Sequence, residues 1–249
     1  GLFLTNNMFK SILKKSLPEK RPMDNVAIGL DFAEEEEYAL GNMGPFSFYH
    51  ALSFPKKMRS IFDRYVIFEN ATPAAIKQWQ DMYMYFLKKM TFSTRGKQLL
   101  LKNPSNTARI AAILEMFPDA KFVHVARNPY VVYSSTMNWL DKEMVPTALQ
   151  DVEEEVIREN AMINYEKLMR HYLAERDLIP AGNRIEVKFE DVEANPVEET
   201  QHINTSLGLE FTPATKRRVQ RYARSIAGYR KNQYKLSRQA KEEISRRWG

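Results

Sequence analysis

Arg127 and Ser135 are eight positions apart in KFVHVARNPYVVYSS (Lys121 to Ser135). The arginine closes a short apolar run, and the serine falls just after the first turn of the helix that Asn128-Pro129 opens. A guanidinium is a planar fork matched to phosphate oxygens, a serine hydroxyl adds a donor, and helix amides favour the anion further. Together they make a phosphate site. The same pair also suits an arginine in a surface ion pair and a serine that merely packs. Lys102 ends a second apolar run, Gln98 to Lys102, and places a further cation at a strand end. His50, His124, His171 and His202 are scattered, and the chain has no cysteine. No metal site is expected from that pattern, and thiolate and disulfide chemistry are excluded.

These residues need a scaffold. The runs Gln98 to Lys102 and Phe122 to Ala126 read as two buried strands separated by a helix with Ser105 or Asn106 as N-cap, apolar positions at Ile110, Ile113, Leu114 and Phe117, and a stop at Pro118-Asp119. Such a unit is parallel, with ligands bound outside the carboxyl ends of the strands, which puts Lys102 and Arg127 on one edge. Thr72-Pro73 opens a long amphipathic helix to about Met90. Further helices are expected after Asn128-Pro129 through Trp139, from Leu149 to Arg176, from Asn195-Pro196 to Leu207-Gly208, and from Thr212-Pro213 into the tail; Arg184 to Asp191 alternates as a strand. Residues 1–70, rich in Pro, Phe and Met, read as irregular.

The 249 residues, 44% hydrophobic, suffice for one large domain with a buried core. The net charge of +6 is unevenly placed: from Ala214 onward there are 12 Lys or Arg against 2 acidic residues, leaving 25 basic and 29 acidic in the remainder. A local basic cluster suits a compact polyanion such as a nucleotide with several phosphates, or a solvated helix face. The apolar runs fall far short of the roughly 20 residues that span a bilayer, and no leader is recognisable, so a soluble, cytoplasmic protein is expected.

The stretch LLLKNPSNTARIAAILEMFPDAKFVHVARNPYVVYSST resembles the pattern of sulfotransferases that use 3′-phosphoadenosine 5′-phosphosulfate (PAPS): strand-Lys-x-Pro, helix, Phe-Pro-Asp-Ala, strand-Arg-x-Pro and a downstream serine. RPMDNV (Arg21 to Val26), EEEYAL (Glu35 to Leu40), VKFEDVEANP (Val187 to Pro196) and YRKNQYKL (Tyr229 to Leu236) are similar to further segments of bacterial-type members, in the same order. The resemblance implies an α/β fold of P-loop NTPase-like sulfotransferase type, a parallel sheet flanked by helices. It implies a single domain, with 1–70 on the acceptor side, 97–209 as the α/β core and 210–249 as a basic helical segment. The family's Gly-Thr loop for the 5′-phosphosulfate has no counterpart here, so an N-terminally incomplete domain that binds donor poorly is expected.

By that resemblance Arg127 and Ser135 hold the 3′-phosphate of PAPS, with Arg230, Lys231 and Asn232 closing over the same end. Lys102 is the cation for the transferring group or leaving oxygen. Relatives place a histidine after Lys-x-Pro, whereas this chain has Ser105-Asn106-Thr107; Glu35 and Glu37 are the candidate bases instead, with His50 an outside candidate. An acidic run is equally a solvated face. The acceptor is left open among lipid, sterol, phenol and carbohydrate hydroxyls and amines. No metal, nucleic acid or transmembrane partner is expected. A kinase lacks its Walker loop here, and a non-catalytic polyanion-binding module remains the alternative of a different class.

Overall fold

The computed structural model describes residues 19–21, 23, 24, 26, 27, 29 and 32–249. Pro22 and Asn25 of the RPMDNV match, and residues 1–18, 28, 30 and 31 of the region expected to be irregular, lie outside the described residues. The rest of that region is more ordered than its composition predicts. It holds α1 (Glu36–Met43), α2 (His50–Ser53) and α3 (Met58–Tyr65). Helices this short show little periodicity and are held by packing rather than propensity. Leu40, Ala51, Leu52, Met58 and Phe62 are all buried.

α4 (Pro73–Ser93) starts as expected, with Pro73 in the first turn and the Thr72 hydroxyl accepting the Ala75 N–H at 3.2 Å. Its Trp79, Tyr83 and Leu87 pack on Leu40 of α1 and on Ala112 and Ile113 of α5 (Ile110–Met116). The expected cap of α5 is corrected. Asn103 accepts the Ser105 N–H at 2.9 Å and caps a 3-10 turn, Pro104–Ala108, and α5 begins only after it.

The expected strand Gln98 to Lys102 is not a strand. It joins no ladder among the described residues, and Leu100 is 94% exposed while Leu99 packs on the cluster of Leu40, Trp79 and Tyr83. A strand exists only through a neighbour's hydrogen bonds, which hydrophobic pattern does not supply. The parallel sheet is instead β1 (Phe122–Ala126) paired with a partner far along the chain. Between the two run α6 (Pro129–Thr147), capped by Asn128, whose side chain accepts the Tyr130 N–H at 3.0 Å, and α7 (Glu154–Glu175). The partner is β2 (Arg184–Lys188), in register from Phe122 opposite Arg184 to Ala126 opposite Lys188.

β1 is less buried than expected, with Val123 and Val125 exposed while His124 stacks on Tyr172 of α7 at 4.0 Å. β2 buries Ile185 and Val187. It ends at Lys188, earlier than its alternation suggests, because Phe189, Glu190 and Asp191 form the first turn of α8 (Phe189–Ala194), where carboxylates suit the helix dipole. α9 (Pro196–Ser206) follows, and Leu207 at its end closes over β2. The basic tail is two helices rather than one, α10 (Pro213–Ser225) and α11 (Arg238–Trp248). Ile244 of α11 is buried against Tyr133 of α6 and Met162 of α7, and Arg247 pairs with Glu159 and Glu166. That half of the tail is part of the domain's packing.

Candidate active site

Glu35 is the N-cap of α1, with extended backbone, and Glu36 and Glu37 are its first two residues, which point about 100° apart round the axis. All three meet side chains of the segment Lys102 to Arg109. Glu35 takes the ammonium of Lys102 and the hydroxyl of Tyr49. Glu36 is buried and accepts from Tyr83 Oη at 3.0 Å and Asn106 Nδ2 at 2.7 Å. Glu37 receives a two-pronged Arg109 at 2.8 and 3.2 Å, Asn103 Nδ2 at 2.8 Å and the Phe48 N–H at 2.8 Å. Glu36 and Glu37 are buried and Glu35 half-buried, so these three form a clasp rather than a solvated face.

The three carboxylates differ in what they can do. Burial pushes Glu37 up, but the charge and fork of Arg109, with Asn103 and the Phe48 amide, hold it below the ordinary carboxylate range. Each side-chain oxygen of Glu37 takes two bonds and the residue is fully buried, whereas each oxygen of Glu35 takes one, so the geometry of Glu37 suits an anchor rather than a base. Glu35 lies between a cation and a phenol. Burial and the charge of Glu35 raise Tyr49 well above an ordinary phenol, so Tyr49 stays protonated and donates. Tyr38 and Trp139 flank Tyr49 at 4.4 and 6.0 Å between ring centroids, which gives the carboxylate an aromatic wall. His50, the outside candidate, bonds the Gly44 carbonyl through Nε2 at 2.9 Å. His124 is lowered by burial against Tyr172.

A second cluster lies at the carboxyl end of β1. The Arg127 guanidinium covers the Phe189 ring at 4.2 Å from its centroid, and Lys231 Nζ is 5.8 Å from the same centroid. Phe189 lies within the segment VKFEDVEANP but has no role assigned from sequence; β2 leading directly into α8 brings its ring within reach of both cations. Lys231 also pairs with Glu193. Glu190 accepts the Asn128 N–H at 3.3 Å, and its own backbone amide, that of Asn128, and the Arg127 and Lys231 charges hold it low. Ser135, on α6, is half-buried, and no hydrogen bond engages its hydroxyl among the described residues. Arg230 is exposed, without an ion pair among the described residues. Asn232 uses its amide on the Met23 carbonyl at 2.7 Å, which Asn138 Nδ2 also reaches at 2.8 Å, while Tyr229 Oη donates to the Asp24 carbonyl at 2.9 Å. The turn at Met23-Asp24 thus ties the 229–232 segment to α6.

α6 links the two clusters. Ser135 and Trp139 are one turn apart on one face, about 6 Å along the axis. α6 thus follows Arg127 directly and carries Trp139, which packs on Tyr49 beside Glu35. A planar fork, an ammonium and an uncommitted hydroxyl fit a phosphate. Among the described residues no group of three His, Cys, Asp or Glu side chains could hold a metal, and no helix is long and apolar enough to cross a membrane.

The sequence model of the sulfotransferase family matches residues 32–213. Two curated relatives, from Mycobacterium bovis and Mycobacterium tuberculosis, carry the name omega-hydroxy-beta-dihydromenaquinone-9 sulfotransferase Stf3. Each is 28% identical over 248 residues, 99% of this chain and 63% of its own length. The chain thus spans less than two thirds of these relatives. Among solved structures, sulfotransferase STF9 from Mycobacterium avium superposes with a TM-score of 0.68 at 18% identity, covering 97% of this chain and 61% of its own. Sulfotransferase STF1 from Mycobacterium tuberculosis H37Rv gives 0.70 at 16%, with 98% and 61% covered. The α/β fold is that of these proteins.

Proposed function

Since the chain belongs to the sulfotransferase family, we propose that it works in transfer of a sulfuryl group from PAPS to a hydroxyl, with Arg127, Lys231, Ser135 and Arg230 receiving the 3′-phosphate. The observation that carries this reading is Arg127 and Lys231 converging on Phe189 at the carboxyl end of β1. Ring contact fixes the guanidinium plane, so less rotamer freedom is lost when phosphate binds. PAPS supplies the sulfuryl group. Transfer forms a bond from acceptor oxygen to sulfur, breaks the bond from sulfur to the phosphate oxygen, and releases the acceptor's proton.

In this reading Glu35 takes that proton, supported by its contacts to Lys102 and to Tyr49 beside the aromatic wall. Lys102, largely exposed on a flexible stem, stabilises negative charge growing at the transferring group. Tyr49 orients the carboxylate. Glu37 serves as an anchor that fixes the start of α1 on the segment bearing Lys102, not as a second base. The relatives' name specifies a hydroxy-dihydromenaquinone acceptor. Tyr38, Tyr49 and Trp139 suit a hydroxylated lipid, and this is the acceptor class we assign.

Calorimetric titration of the chain with 3′,5′-adenosine bisphosphate and with ADP tests the reading. The bisphosphate should bind at least about 10-fold tighter, and Arg127→Ala should weaken it about 10- to 100-fold, as expected for a charge-assisted fork. Equal affinity for both nucleotides, or indifference to Arg127→Ala, would refute the 3′-phosphate site. With labelled donor, Glu35→Gln should reduce kcat about 100-fold or more, while Glu37→Gln should act mainly on stability. A Glu35→Gln variant with unaltered kcat refutes its role as base.

A further inference from the structure

α10 carries Lys216, Arg217, Arg218, Arg221 and Arg224 with no acidic residue, the nearest carboxylate in sequence being Glu210 before the helix. None of these cations enters an ion pair among the described residues, in contrast to Arg247 of α11. Arg217, Arg221 and Arg224 stand at i, i+4 and i+7 and form one exposed row. Arg218, Tyr222 and Ile226 stand at i, i+4 and i+8 in the adjoining row, with Tyr222 64% and Ile226 43% exposed. The opposite side of α10 lies on α9. The helix therefore presents cations beside an aromatic and an aliphatic side chain. It runs directly into Tyr229 to Asn232, which are tied to the candidate site through Asp24 and Met23.

We propose that α10 is a docking surface for an anionic lipid bilayer, lying flat on the headgroups with Tyr222 and Ile226 in the interfacial layer. Charge complementarity selects an anionic partner, since each Lys or Arg near an anionic leaflet contributes separately to attraction. The exposed Ile226 selects lipid over nucleic acid, because an aliphatic side chain gains by entering the interface and gains nothing from a phosphate backbone. Continuity with Arg230 and Lys231 brings the site to the membrane surface. That last consequence rests on the lipid-acceptor reading above; the docking surface does not.

The test is co-sedimentation of the 249-residue chain, without donor or acceptor, with phosphatidylcholine vesicles and with vesicles containing about 30% phosphatidylglycerol. Binding is expected only to the anionic vesicles and should fall steeply with added salt. The combined variant Arg217→Glu, Arg221→Glu and Arg224→Glu should lose partitioning by more than ~100-fold. All three residues are exposed, and an unchanged Tm shows that the fold is kept. The pair Tyr222→Ser and Ile226→Ser should lose roughly 10-fold with its charge intact. Equal binding to neutral vesicles, or no loss in the charge-reversed variant, overturns the proposal. So does single-stranded DNA that displaces the chain from vesicles while the Tyr222 and Ile226 variants bind both like the parent, which identifies a polyanion surface. Because no nucleotide is present, failure here and failure of the bisphosphate titration are separate results.

Discussion

Removing Arg109 exposes how strongly the clasp at α1 is held. Its side chain and that of Glu37 are 0% and 1% exposed. The guanidinium makes two bonds to Glu37, bonds the Tyr65 carbonyl from Nε at 3.1 Å and from Nη2 at 2.5 Å, and lies 5.0 Å from the Trp79 ring centroid. Arg109→Ala leaves the Glu37 carboxylate buried with only Asn103 and the Phe48 amide, and an uncompensated buried charge of this kind costs about 3–5 kcal/mol. That is a large share of the roughly 5–15 kcal/mol that holds a domain together. Arg109→Lys keeps the charge but loses the fork and should fall between. Urea unfolding followed by circular dichroism reads the change as a lowered midpoint at constant slope. A cycle with Glu37→Gln should give a coupling of about 2–3 kcal/mol. The pH dependence follows in sign. Glu37 is held below its unfolded value near 4.3, so its contribution is present above about pH 4.3 and is lost as pH falls through the lower folded value. The deficit of Arg109→Ala should narrow as pH falls, beginning above about pH 4.3, because the orphaned carboxyl is raised by burial and takes up its proton before an unfolded one does. A loss under about 1 kcal/mol, or coupling under about 0.5 kcal/mol, refutes the argument that this pair anchors α1.

His124, lowered by burial, is neutral in the folded protein at pH values where the unfolded chain is protonated. Stability is expected to fall as pH drops below about 6.5, and less so in His124→Phe, by thermal unfolding across pH. Leu100→Ser should shift stability by under about 0.5 kcal/mol whereas Leu40→Ala costs about 2–5 kcal/mol, a contrast that chemical denaturation resolves. Arg247→Ala, which breaks contacts to Glu159 and Glu166, should speed amide exchange across α11 before it lowers the stability of α7.

The amino-acid sequence by itself determined the features whose cause is local. Thr72 and Asn128 cap helices because a side-chain oxygen reaches an amide two or three residues on. Arg127 directly follows a strand because the apolar run stops at Ala126 and Asn128-Pro129 starts a helix, and the eight-residue spacing to Ser135 then follows. Only the tertiary structure decided the rest. Gln98 to Lys102 has a strand's pattern without a strand's partner, since ladder bonds come from elsewhere in the chain. Phe189 gained its place from the junction of β2 and α8, which brings it under Arg127. The clearest case is the acidic run. Glu35, Glu36 and Glu37 are chemically identical in sequence, and their separate settings follow from Lys102, Asn106 and Arg109 arriving across some 70 intervening residues. Charge state and reach are properties of the neighbours that folding supplies.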